Sequence, residues 1–168
     1  AAITSVVTGI SPFEATGHGT GTESSAFERK VRVIEKALSM NNPDASDGLD
    51  VLLKVGGFEI GGITGVIIGA AANKIPVVID GYISGAAALI ACLIAPQCKD
   101  YLIASHLSVE RGHKAVLNHL NLKPILNMDL RLGEGSGAAL AISIAEAACK
   151  ILDEMATFED ANVSEKSA

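Results

Sequence analysis

Between Arg131 and Ala138 the chain reads RLGEGSGA, which sets one carboxylate, Glu134, between two glycines and ahead of a long run of small residues. Gly133 and Gly135 let the backbone turn sharply and come close to a bound molecule. A helix starting near Ser136 adds unpaired N–H groups and positive potential at the same point. These residues suit a base presented to an anionic or electron-rich ligand, and the plain alternative is a glycine turn whose Glu favours a helix N-terminus. A second glycine stretch, Thr16 to Gly21, precedes a helix that carries Lys30. Its N–H groups and the Lys30 ammonium form a candidate anion cradle, although the spacing is not the Walker pattern. A plain turn and a solvated lysine are the competing readings. Asp80, followed by Gly81 at the end of an apolar run, stands where a carboxylate reaches a ligand or caps a helix.

Other chemistries find no support. There is no Gly-x-Ser-x-Gly elbow and no Cys and His pattern of a nucleophilic hydrolase. His18, His106, His113 and His119 do not form a metal triad, so no metal is expected, and His113 and His119 are placed on a helix surface. No other cofactor is expected either.

The elements that must hold these residues follow from the apolar pattern. Residues 1 to 8 read as helix ended by Gly9, and Ser11-Pro12 restarts one short turn. Phe27, Val31, Ile34 and Leu38 recur at helical spacing from Ser24 to about Met40. Asp44 to Asp50 is polar and reads as an exposed connection. Gly61, Gly65 and Gly69 recur every four residues on one helix and predict something packed very close to that face. Ile75–Ile79, Tyr101–Ala104 and Pro124–Met128 read as strands, each followed by a helix: Ser84–Ala95, Val109–Leu120 and Ser136 to about Met155. This alternation predicts an α/β fold, a three-layer Rossmann-like parallel sheet flanked by helices. Its ligand crevice lies beyond the carboxyl ends of the strands, where Asp80, Ser105 with His106, and Arg131 with Glu134 converge.

The 168 residues suffice for one domain, here 1–155, with a polar C-terminal tail at 156–168. A net charge of −6 disfavours a nucleic-acid partner. Cys92, Cys98 and Cys149 form no CxxC or other metal spacing, which fits a reducing cytoplasm. No run reaches the roughly 18 apolar residues of a membrane span. The opening Ala1-Ala2-Ile3-Thr4 lacks Met and already reads as helix, so the chain is expected to begin inside a larger polypeptide.

Four segments carry a further likeness: DVLLKVGGFEI from Asp50, IPVVIDGYISGAAAL from Ile75, DYLIASHLSVERGH from Asp100 and DLRLGEGSGAALA from Asp129. Together with MATFEDANVSEK from Met155, they closely resemble the nicotinate-nucleotide:dimethylbenzimidazole phosphoribosyltransferase family. The resemblance implies a cytoplasmic homodimeric enzyme of cobalamin synthesis that moves the phosphoribosyl group of nicotinate mononucleotide onto dimethylbenzimidazole. It implies Glu134 as general base. It implies a phosphate site at Gly19, Thr20, Gly21 and Lys30, and a base pocket and ribose side lined by Arg131, Leu132 and Gly133, with Asp80 at the same cleft. Family members are longer, and their GEMGIGNTT-like loop with a second glutamate is absent before Ala1. The resemblance therefore implies the C-terminal half of an enzyme, inactive alone. The alternatives are a truncated, non-catalytic nucleotide-binding module, or a split subunit completed by a partner chain. An unrelated Rossmann-like nucleotide binder is the weakest reading.

Overall fold

Helix punctuation in the sequence sets most element boundaries of the structure, a computed structural model that describes residues 1–17, 24–161 and 163. Helix α1, Ala2–Thr8, stops where Gly9 turns left-handed at φ 76°. Helix α2, Pro12–Ala15, starts with a capping box: the Ser11 hydroxyl accepts from the Glu14 N–H, and the Glu14 carboxylate accepts from the Ser11 N–H. Helix α3, Ser24–Asn41, buries Phe27 and Val31 and half-buries Ile34 and Leu38, as their spacing predicts. Asp47 caps α4, Gly48–Val55, by accepting from the N–H groups of Leu49 and Asp50. The polar connection expected over residues 44 to 50 is accordingly shorter, because its last residues are the first turn of α4.

Helix α5, Phe58–Ala72, leads to strand β1, Val77–Ile79, then helix α6, Tyr82–Ile94, and a 3-10 segment, Pro96–Tyr101. Strand β2, Leu102–Ala104, pairs with β1 in parallel, with Val77 opposite Leu102 and Ile79 opposite Ala104. Helix α7, His113–Leu120, and helix α8, Ser136–Glu154, complete the described elements. The third expected strand contributes a parallel bridge between His106 and Leu126 and bonds from the Ile125 and Leu126 N–H groups to Ala104 and Ser105 carbonyls. Pro124 offers no N–H, and Asp129 turns left-handed at φ 51°, so the extended run is too short to become a strand. Among the described residues the fold is thus a mostly helical α/β arrangement with a small, two-stranded parallel sheet.

Helix α6 is the centre of the packing. Ala86, Ala87, Ala88, Leu89, Ile90 and Ala91 are at most 3% exposed. Four of these six are alanines, whose small side chains let α4, α5 and α7 approach the α6 backbone closely. The Thr64 hydroxyl of α5 donates to the Ala87 carbonyl at 3.2 Å, satisfying a polar group inside this contact. The Tyr82 hydroxyl donates to the Ala15 carbonyl at 2.6 Å and ties α2 to the start of α6.

Two expectations are corrected here. A Cβ built on Gly61 would touch Leu52 at 3.5 Å, but at Gly65 and Gly69 nothing lies within 4 Å, so that face of α5 is open among the described residues. His113 is not on the surface: it is 1% exposed, because the first turn of α7 faces α6. His119 is exposed as expected.

Candidate functional site

The carboxyl ends of β1 and β2 meet the first turn of α8 at one point. Asp80, the residue after β1, places its carboxylate under that turn. Oδ2 accepts from the Gly135 N–H at 3.3 Å and Oδ1 from the Ala138 N–H at 3.0 Å. Asp80 therefore caps a helix, but α8, 55 residues away, instead of α6 beside it, whose N-cap Gly81 has no side chain to offer. The N-cap of α8 itself, Gly135, likewise supplies no side-chain bond. A carboxylate at this spot also complements the positive end of the α8 dipole.

Residues 105 and 106 support the arrangement from below. The Ser105 hydroxyl donates to the Asp80 carbonyl at 2.8 Å and lies 3.0 Å from His106 Nδ1. A hydroxyl has one proton, so with that proton on Asp80 the His106 ring must donate from Nδ1 to Ser105 Oγ. The ring is 2% exposed, with Nδ1 3.8 Å from Asp80 Oδ1. It forms the seat of α8: a Cβ added to Gly137 would overlap the imidazole. On the other side, a Cβ at Gly81 would lie 3.5 Å from its Cε1. Glycine at 137 is thus demanded by close approach, not by backbone conformation.

His113 stands behind His106, with ring centroids 6.0 Å apart. Its Nδ1 accepts from the Ser108 N–H at 2.9 Å, so the neutral ring carries its proton on Nε2, which is buried with no hydrogen-bond partner among the described residues. Burial, reinforced by the nearby His106, pushes the His113 pKa down from 6.5 to about 4. It is neutral at physiological pH.

The turn that carries Glu134 is left-handed at three successive residues: Gly133 at φ 79°, Glu134 at 56° and Gly135 at 77°. The Ser136 N–H closes it onto the Gly133 carbonyl at 3.1 Å. Glu134, Arg131 and Leu132 are solvent-exposed and Gly133 is half-buried. Four of the predicted residues, Arg131, Leu132, Gly133 and Glu134, thus share one turn, and Asp80 is bonded to its end. The sequence named Ser105 and His106 as neighbours of the crevice, but nothing in their spacing showed that they would seat α8.

Lys30 is exposed on α3 and lines, with Thr16, Gly17 and Arg29, a surface cleft of ≈ 420 Å³. Gly19, Thr20 and Gly21 lie outside the described residues.

A family model described as phosphoribosyltransferase matches residues 1–163. The chain is 60% identical, over 165 residues, to the nicotinate-nucleotide–dimethylbenzimidazole phosphoribosyltransferase of Chloroflexus aggregans, covering 98% of this chain and 47% of that protein. Identity to the enzyme of the same name from Dehalococcoides mccartyi strain BAV1 is also 60%, over 168 residues, covering 48% of it. The fold superposes on a crystal structure of CobT from Thermus thermophilus with a TM-score of 0.92 and 40% identity, covering 98% of this chain and 49% of that one. The chain spans about half the length of the curated relatives it matches. A match that runs through residue 163 and includes every element around Glu134 makes the chain a member of the nicotinate-nucleotide:dimethylbenzimidazole phosphoribosyltransferase family.

Proposed function

We propose that this chain is the C-terminal half of a phosphoribosyltransferase that moves the phosphoribosyl group of nicotinate mononucleotide onto dimethylbenzimidazole, giving α-ribazole phosphate and nicotinate for cobalamin synthesis. The observation that carries the reading is the exposed Glu134 carboxylate on a left-handed turn at the start of α8, in a chain 60% identical to enzymes of that name. Glu134 takes the proton from the benzimidazole N–H while the other ring nitrogen attacks the anomeric carbon. The bond from that carbon to the pyridine nitrogen breaks, its electron pair returning to nicotinate. Arg131, Leu132 and Gly133 line the base pocket and ribose side, next to the turn that presents Glu134.

Lys30 supplies the cation for the substrate phosphate, together with the Gly19 to Gly21 loop. In the complete protein the two-stranded sheet continues into the three-layer Rossmann-like arrangement, residues 1–155 form the α/β catalytic domain, and 156–168 form its C-terminal tail. The complete enzyme works as a cytoplasmic homodimer without metal or cofactor, and the rest of the site comes from the N-terminal half or from a separate chain that replaces it. Among the described residues no helix is long and apolar enough to cross a membrane.

The test is nicotinate release from nicotinate mononucleotide with dimethylbenzimidazole, measured on the 168-residue chain and on a polypeptide of the relatives' full length. Turnover is expected in the full-length protein alone, and Glu134→Gln should lower it about 100-fold or more with substrate binding largely kept. Full turnover in Glu134→Gln would remove Glu134 as the base. A full-length protein without turnover would favour a non-catalytic nucleotide-binding module.

A further inference from the structure

The turn that presents Glu134 has one backbone hydrogen bond of its own, from the Ser136 N–H to the Gly133 carbonyl. A glutamate at φ 56° sits in the left-handed region, which costs a residue with a Cβ roughly 1 kcal/mol. The helix that follows has no side-chain cap of its own. Both needs are met by Asp80, whose two carboxylate oxygens take the N–H groups of Gly135 and Ala138, spanning the first turn of α8. Asp80 is fixed in its turn: β1 ends one residue earlier, at the Ile79–Ala104 pair, the Ser105 N–H donates to the Ile79 carbonyl at 3.1 Å, and the Ser105 hydroxyl holds the Asp80 carbonyl. The His106 ring sets the depth to which Gly137 can descend. A chain of contacts thus runs from the paired strand ends to the residue next to Glu134.

We propose that Asp80 is a positioning residue for Glu134, capping α8 from the end of β1 so that the general base is held at a fixed place above the sheet, and not a residue that contacts substrate. The assignment rests on the reading of Glu134 as base. Both oxygens of Asp80 already hold backbone donors and its side chain is only 16% exposed, so little of the carboxylate is left for a ligand.

The experiment is a double-mutant cycle in the full-length polypeptide, with Asp80→Ala and Asp80→Asn made alone and together with Glu134→Gln. Asp80→Ala is expected to lower kcat roughly 10- to 100-fold, the scale of a base displaced by about 1 Å, with the KM for nicotinate mononucleotide changed less than about twofold. Asp80→Asn keeps the shape and one acceptor oxygen, so its loss should be smaller, and it serves where the alanine variant does not fold. With Glu134→Gln already present, either substitution should cost less than about twofold, because no base remains to be positioned. Amide hydrogen exchange at Gly135 and Ala138 should quicken in Asp80→Ala in both backgrounds. Equal losses with and without Glu134, or a rise in KM in place of the fall in kcat, would overturn the Asp80 assignment alone. Full turnover in Glu134→Gln would overturn the base reading, and the positioning role with it.

Discussion

Helices α5 and α6 are built from nearly the same palette of Ile, Gly and Ala, yet they occupy very different surroundings. In α6, seven consecutive residues from Gly85 to Ala91 are buried. In α5 only Thr64 and Ile67 are, while Phe58 is fully exposed and Val66 is 66% exposed. Along its buried stretch α6 meets α1, α4, α5, α7, the 3-10 segment and β1. Helix α5 has α6 and the 3-10 segment along one side, and a Cβ built on Gly62, Gly65 or Gly69 would meet nothing within 4 Å among the described residues. An apolar helix surface left uncovered costs hydrophobic free energy. A further element or subunit laid on this face of α5 would therefore stabilise it.

The sharpest way to break the comparison is truncation of a large residue on each helix. Leu89→Ala on α6 is expected to destabilise the protein by about 2 to 5 kcal/mol in urea denaturation, since the side chain is 1% exposed and the cavity cannot drain to solvent. A loss below about 1 kcal/mol would show that α6 is not the centre of the core. Acid titration probes the same core through His113, which packs against Gly85 of α6. Its pKa is lowered from 6.5 to about 4, so the unfolded chain binds the proton first as pH falls. The stability it allows is complete above pH 6.5 and declines as pH drops towards 4, by about 3 kcal/mol across the window. Replacing His113 with Phe should flatten that part of the pH profile, and an unchanged slope would assign the dependence to other groups. The smallest effect belongs to α5. Val66→Ser should change the stability of the 168-residue chain by less than about 0.5 kcal/mol, as for an ordinary surface site. The same substitution should cost more than about 1 kcal/mol in the full-length protein if its remaining half, or a second subunit, covers this face. Equal small values in both would leave the α5 face uncovered in the complete protein too.

The difference between the two helices also marks what the sequence could tell. Periodicity located α3, α6 and α8, because the spacing of apolar residues along a helix is a local signal. The Gly61, Gly65 and Gly69 spacing correctly indicated a helix, but of the three only Gly61 has a close neighbour, Leu52, among the described residues. His113 was misplaced because a lone histidine on a helix gives no sign of facing α6. In the site, the Glu134 turn was legible from its glycines, and Asp80 was legible as a helix cap or a ligand contact. Which helix it caps was not, because that depends on strand ends and α8 meeting across 55 residues. The third strand was overestimated: its apolar run is right for a strand, but Pro124 and the turn at Asp129 limit it to a bridge.

The left-handed backbone at residue 134 narrows what evolution or a designer can place there. On the reading of Glu134 as base, a substitute must pass two filters at once, tolerance of φ 56° and possession of a proton acceptor. Glycine passes the first and fails the second. Valine, isoleucine and threonine fail the first because their branched Cβ crowds the preceding backbone. Asparagine tolerates the conformation but carries an amide, and aspartate passes both while reaching one methylene less far. The position has almost no neutral neighbours in sequence space. On that reading, a turn that looks like a flexible glycine loop is narrowly constrained at its one carboxylate.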